Sequence, residues 1–321
     1  MLTERLAAEV ATVFGLGGDA VLVGPVAAGR VGQIWRLDTT RGRYAAKESS
    51  YGWEPADADR DAAFQEKVRA QGVPMPAVVR SASGAVLADV DGSQVRVCEW
   101  VDVLEPTRFL DPAAVGRLVA AIHALHVRTT LPVNSWSCAP VGRNAWDDMV
   151  GRLAGVGAPF AGRLANVVPD AVAAEALLAP PDAVRWCHLD LWADNVLRTP
   201  GGALTVLDWE NSGPGSPSQG LMAVLFEYGC GDPHRMRELH AAYVAAGGPG
   251  RLTGRADATM LLAQTAHIAM TGCKRWLAST TDAQRDDNAA WVGEFLDEPV
   301  TIDTVDAILD AVGQPNRRLT P

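Results

Sequence analysis

Residues 186–210 read WCHLDLWADNVLRTPGGALTVLDWE. The stretch carries His188 and Asp190, places Asn195 after four intervening residues, and closes on Asp208, Trp209 and Glu210. Between Asn195 and Asp208 lie an apolar pair, Val196-Leu197, a Thr-Pro-Gly-Gly turn and a β-like run from Ala203 to Leu207. The expected layout is a loop, a hairpin and an acid at a strand end. Taken singly, these residues say little. An isolated aspartate or asparagine there is a turn or cap residue, and an isolated histidine is a satisfied core group.

Together they form the set that phosphoryl transfer needs. One carboxylate orients and deprotonates an attacking hydroxyl, while a carboxamide and a second carboxylate hold magnesium on nucleotide phosphates. All are hard oxygen donors, as magnesium requires. Asp-x-x-x-x-Asn followed by an aspartate after a short hairpin is the kinase catalytic-loop pattern. Here the chain is similar to the aminoglycoside phosphotransferase and choline kinase superfamily. In that family the loop usually reads His-Gly-Asp-x-x-x-x-Asn, followed by Ile-Asp-Trp-Glu. This chain has His188-Leu189-Asp190, then Asn195, then Leu207-Asp208-Trp209-Glu210. The resemblance implies an α+β, protein-kinase-like fold of two lobes, a β-rich N-lobe and a mainly helical C-lobe. It implies Asp190 as catalytic base, Asn195 and Asp208 as magnesium ligands, and His188 as a support of the loop.

Working outward toward the N-terminus, residues 2–14 have Leu2, Leu6, Val10 and Phe14 four apart, an amphipathic helix. Then VLVGPV, GQIWRLDT and RYAAKES are short β-like runs, with Thr40-Arg41-Gly42 turning the second onto the third. Ala56 to Gln71 reads as a helix ended by Gly72, Pro74 and Pro76; GAVLADV and SQVRVCEWV are two more strands. By the resemblance, this part grips ATP or GTP. Gly24 to Gly32, with Gly29 and Gly32, would be the phosphate loop, where glycine lets the backbone approach phosphate. Lys47 would be the strand lysine. An ammonium in an otherwise apolar strand needs a partner. The family's helix acid maps to Asp61, with Glu66 as an alternative on a different helix face. Glu99, Trp100 and Val101 would form the hinge that reads the base through main-chain groups. No Gly-Lys-Ser/Thr follows the loop, so this is not a Walker A site.

The character changes near residue 101. Residues 1–101 are expected to form the nucleotide-binding lobe. Residues 102–321 are expected to form the helical lobe with the catalytic loop and the substrate site. Ala113 to Val127 reads as a helix starting after Asp111-Pro112. Segments near 147–154, 169–178, 220–228, 235–246, 256–278 and 284–296 also read as helical. Three places depart from the family pattern. Leu189 replaces a glycine and Asp61 a glutamate. The segment from Gly215 to Leu221 lacks the two acids of the family's Gly-Asp-Pro-x-x-Asp-Leu, so the catalytic region must be braced differently.

By the resemblance, the substrate is expected on residues 130–180 and 256–298 and beside the catalytic loop, where Trp192, Trp276 and Glu210 are candidates. An aromatic wall suits a sugar face, a nucleobase or a cation. The expected reaction moves a phosphate from ATP or GTP, with Mg2+, to a hydroxyl of a small molecule. An antibiotic of aminoglycoside, nucleoside or peptide type is the leading acceptor, which would give resistance. The alternatives are a metabolic kinase of an amino sugar or choline-like amino alcohol, and a pseudokinase that binds nucleotide without transfer. The net charge of −10 disfavours nucleic acid and anionic membranes as partners. Five scattered cysteines form no Cys-x-x-Cys pair, which argues against a disulfide framework or a zinc site. There is no signal-peptide pattern, and no apolar run nears the roughly 20 residues of a bilayer span. The expectation is a cytoplasmic monomer or homodimer.

Overall fold

The β-like runs of the first third pair into one antiparallel sheet. Its strands are β1 (Val21–Ala28), β2 (Gly32–Thr39), β3 (Gly42–Ser49), β4 (Val78–Val79), β5 (Leu87–Val90) and β6 (Ser93–Glu99). Their order is β1-β2-β3-β6-β4, with β5 also on β6. This computed structural model describes residues 6–28, 32–49, 52–181 and 183–313. By spatial clustering, Met1–Thr107 and Asp190–Ser212 form one unit, and Arg108–Leu189 with Gly213–Pro321 form the other. The strand-rich unit thus draws in residues 190–212, which the sequence division at residue 101 places in the second half.

Strand alternation sorts the sheet's side chains. Ala46 of β3 and its partner Val97 of β6 are both fully buried and face α1 (Ala7–Val13) with Val10 and Phe14. Lys47 is opposite Arg96 in the same ladder, so both point to the other face. There α2 (Pro55–Ala70) buries Asp61, Phe64 and Gln65. Gly24 and Pro25 do not end β1; the ladder with β2 shifts register between Val23 and Ala27 and continues to Ala28. The loop expected over Gly24–Gly32 is therefore shorter than the sequence implied. Gly32 opens β2, and Gly29 lies outside the described residues. Leu2 of the expected first helix also lies outside them.

The same unit contains the hairpin of β8 (Val196–Arg198) and β9 (Leu204–Val206), in the register Val196↔Val206 and Leu197↔Thr205. The Val206 amide donates to the Pro74 carbonyl at 3.0 Å, and the Leu104 amide to the Arg198 carbonyl at 2.7 Å. These bonds tie the hairpin to segments far away in sequence.

The second unit is helical: α3 (Pro112–Ala124), α4 (Arg143–Gly155), α5 (Ala161–Glu175), α6 (Pro217–Gly229), α7 (Pro233–Ala245), α8 (Thr259–Ala278), α9 (Asp282–Asp297) and α10 (Ile302–Ala311). β7 (Arg185–Cys187) pairs antiparallel with β10 (Gly213–Gly215). One apolar core joins Trp146, Leu153, Leu164, Met270, Val292 and Phe295. α5 starts at Ala161, not near 169, and carries Pro169 inside it; the Leu164–Val168 stripe buries well enough to outweigh one lost backbone bond. The sequence reading missed α10. Its signal is the reciprocal cap between Thr301 and Thr304, followed by Val305, Ile308 and Leu309 at helical spacing.

α3 and α7 approach closely at Gly116, where an added Cβ would stand 2.3 Å from the Leu239 carbonyl oxygen. Backbone cannot yield as a side-chain tip can, so Gly116→Ala is expected to cost about 1–3 kcal/mol. Thermal unfolding checks this: a melting temperature equal to wild type would contradict the packing. Among the described residues, no helix is long and apolar enough to cross a membrane. All five cysteines are free thiols.

Candidate functional site

Asp190 opens the loop and Asn195 closes it, because the Asn195 and Val196 amides both turn back to the Trp192 carbonyl at 2.9 and 3.1 Å. The Asn195 carboxamide donates to Asp190 Oδ2 and to the Asp190 carbonyl, each at 2.9 Å. Asn211 donates to the same Oδ2 at 2.9 Å. Burial pushes the Asp190 carboxyl up, partly countered by the hydrogen bonds from Asn211 and Asn195. With its N–H groups spent on Asp190, Asn195 has its amide oxygen to offer a cation.

The Leu207 amide donates to the Asn195 carbonyl at 2.8 Å, so the end of the hairpin returns to the loop. Asp208 follows with a left-handed backbone, φ 52°. The buried Trp209 then anchors the turn Trp209–Asn211; its indole donates to the Val206 carbonyl at 3.2 Å, and its ring meets Phe64 of α2 at 5.7 Å. This anchoring aims Asp208 and Glu210 at one lysine. Lys47 Nζ donates to Asp208 Oδ1 at 2.8 Å and to Glu210 Oε2 at 2.7 Å. Burial alone would raise the Glu210 carboxyl, but the Lys47 and Arg96 charges and the Lys47 hydrogen bond hold it below its ordinary value.

Lys47 pairs with neither Asp61 nor Glu66, the helix acids that the resemblance implies, but with Asp208 and Glu210. Glu66 is engaged by Arg80, Nε to Oε1 at 2.9 Å and Nη2 to Oε2 at 3.1 Å. Asp61 is buried, and its burial pushes the carboxyl up to about 8 despite Arg96 nearby. A carboxyl that keeps its proton makes a poor partner for an ammonium. Glu210, one methylene longer than an aspartate and delivered by the hairpin, takes that place. Its ion pairs engage both carboxylate oxygens, Oε2 with Lys47 and Oε1 with Arg96.

His188 is buried at 1% exposure, consistent in placement with a supporting residue. Leu189, where the family has glycine, adopts φ 64°. A leucine in that region is strained. Its carbonyl accepts from Gln264 Nε2 at 3.0 Å, and its side chain fills the space over Gly215, where an added Cβ would come within 2.4 Å of Leu189 Cδ2. Gln264 also donates to Ser137 Oγ at 3.2 Å. Gln264 and Asn211 were missed in the sequence. The available signal for Gln264 was the polar pair Gln264-Thr265 interrupting the apolar run Met260–Ala266 of α8.

At the end of β6, the Glu99 amide donates to the Ala77 carbonyl at 2.8 Å and the Trp100 amide to the Arg43 carbonyl at 3.0 Å. The Val101 amide has no acceptor among the described residues. The tryptophans divide. Trp192 is half-buried in the catalytic loop. Trp276 packs edge-on to Phe160 at 5.6 Å, and Trp146 stacks on Phe295, so both serve the helical core. Trp136 is 39% exposed and stacks on His267 at 5.2 Å.

For a metal, the donor chemistry fits. Asn195 and Asp208 offer hard oxygens, and Asp208 already holds one cation, the Lys47 ammonium. Among the described residues no three His, Cys, Asp or Glu side chains form a metal-ligand cluster, so further ligands would come from phosphate and water.

Comparison with known proteins shows the family and the fold. The model of the phosphotransferase enzyme family matches residues 23–258. No curated protein matches the sequence. Among solved structures, an aminoglycoside phosphotransferase from Alicyclobacillus acidocaldarius is similar at 19% identity and TM-score 0.62, covering 97% of this chain and 96% of that one. A spectinomycin phosphotransferase in complex with ADP and spectinomycin is similar at 12% identity and TM-score 0.66, with 98% of each chain covered. A microcompartment-associated aminopropanol kinase is similar at 18% identity and TM-score 0.59, covering 91% of this chain and 95% of that one. These likenesses establish the kinase-like α+β fold.

Proposed function

Because the chain belongs to the phosphotransferase enzyme family, we propose that it moves the γ-phosphoryl group of ATP or GTP to a hydroxyl of a small molecule. The observation that carries this reading is the pairing of Asp190, clamped by two carboxamides, with the Lys47–Asp208 contact in the same unit. Residues 1–101 supply the nucleotide grip, and residues 102–321 supply the catalytic loop and the acceptor site. Lys47 pairs with the phosphates, and the Val101 amide with its neighbours Glu99 and Trp100 reads the base. Asn195 and Asp208 would hold Mg2+, which when bound neutralises charge on the β- and γ-phosphates.

In the transfer, the acceptor oxygen forms a bond to the γ-phosphorus as the bond to the β-bridging oxygen breaks. The nucleoside diphosphate leaves with that electron pair, and the hydroxyl proton passes to Asp190. A carboxylate whose pKa is raised by burial is a better proton acceptor than an ordinary aspartate. The acceptor is a hydroxylated antibiotic of aminoglycoside, nucleoside or peptide type. A small amino alcohol is the second reading, favoured by the breadth of acceptors named among kinases of this fold.

The test is nucleotide consumption with ATP and GTP in parallel, with Mg2+. The panel spans aminoglycosides, nucleoside and peptide antibiotics, amino sugars, aminopropanol and choline, with products weighed by mass spectrometry. A phosphorylated product is expected from one class. Nucleotide binding without any product would favour a non-catalytic binding protein.

A further inference from the structure

The buried face of the sheet beside Lys47 holds a second cation that the proposed chemistry does not use. Arg96 of β6 is 2% exposed and directly opposite Lys47 in the ladder. An arginine so deeply buried must be paired, since an isolated charge there is costly. Its Nη2 donates to Gln65 Oε1 at 3.0 Å, and Gln65 is anchored in turn, its Nε2 donating to the Pro76 carbonyl at 2.9 Å. Arg96 Nη1 lies 3.9 Å from Glu210 Oε1, while the other oxygen of that carboxylate holds Lys47. Arg96 Nη1 and Nε have no hydrogen-bond acceptor among the described residues.

We propose that Gln65, Arg96 and Glu210 form a relay that sets the position of Lys47 from helix α2, replacing a direct contact between a helix acid and the lysine. The ion pairs support it: Lys47 is held by Asp208 and Glu210, and Arg96 lies against the other oxygen of Glu210. The relay also leaves Glu210 compensated when Lys47 turns to phosphate, because Arg96 Nη1 stays 3.9 Å from that carboxylate. Arg96 is thus a positioning residue, acting on nucleotide only through Glu210 and Lys47. This inference rests on the kinase reading above.

The test is titration of the full chain with fluorescent N-methylanthraniloyl ATP and GTP in the presence of Mg2+, which needs no acceptor. Arg96→Met is expected to weaken binding about tenfold, Arg96→Lys less, and Glu210→Gln about tenfold. The double variant Arg96→Met/Glu210→Gln should bind no more weakly than the worse single variant, because both break one chain of contacts. Effects that multiply, or wild-type binding by Arg96→Met, would overturn the relay while leaving the kinase reading intact. No binding of either nucleotide by wild type would overturn both. If Arg96→Met does not fold by circular dichroism, Gln65→Leu serves instead; a few-fold weaker binding is expected, and unchanged binding overturns the relay.

Discussion

Asp190→Asn is expected to lower kcat by about 10²–10⁴-fold and to leave nucleotide KM within a few-fold. The substitution is nearly isosteric. Asp190 Oδ2 accepts from both Asn195 and Asn211 at 2.9 Å, and an asparagine oxygen in that position accepts the same two bonds. Asn195 also keeps its separate bond to the residue 190 carbonyl. The loop therefore stays in shape while the proton acceptor is lost. An asparagine nitrogen cannot take the hydroxyl proton, so the loss falls on the chemical step and not on nucleotide affinity. Steady-state kinetics on the acceptor found by the panel, with nucleotide binding measured separately, separates the two quantities. Wild-type turnover in the variant would remove Asp190 as base. A large rise in nucleotide KM with kcat unchanged would make Asp190 a binding residue instead.

Much of this site could be read along the chain because its parts are close in sequence. Asp190, Asn195 and Asp208 lie within a loop and one hairpin, and the turn residues Thr199 to Gly202 declare that hairpin. Five of the sheet's six strands were equally legible, since their runs are short and set apart by glycine-containing stretches; the two-residue β4 (Val78–Val79) was not. The partners of Lys47 were not. Its ties to Asp208 and Glu210 span 161 and 163 residues, and no local pattern encodes such a distance. The resemblance pointed to α2 for the acid, but α2 brings Gln65 to Arg96 and keeps Asp61 buried. Nothing in VRVCEW marks Arg96 as buried. A single arginine among valines in a strand reads as a residue facing solvent, and it is covered only because α2 closes over that face. Leu189 follows the same logic. Its positive φ explains the family glycine, and the room for its side chain comes from Gly215, 26 positions later (215 minus 189).

Asp61→Asn is expected to raise stability, and increasingly so as the pH rises. The groups facing Asp61 are Arg96 from β6, Glu210 from the turn after β9, and Arg60 on its own helix. Burial outweighs the attraction of the two arginines and pushes the folded carboxyl up to about 8 from an ordinary 3.8. The folded state therefore holds this proton more tightly than the unfolded chain does. Its contribution is fully present below the unfolded value, erodes as the unfolded state deprotonates, and is lost by the time pH passes the folded value. In that window wild type should lose about 1.4 kcal/mol per pH unit relative to the variant, on the order of several kcal/mol by alkaline pH. Asparagine has the shape of the protonated acid and no proton to lose, so it escapes this term. Urea unfolding of both proteins at intervals from pH 4 to pH 9 measures the difference directly. The two curves should lie together near pH 4 and diverge until they run parallel above pH 8. Curves parallel throughout would mean that Asp61 is ionised in the folded protein. Asp61 would then be a further anion beside Arg96, and the case for Glu210 as the acid that holds the lysine would weaken accordingly.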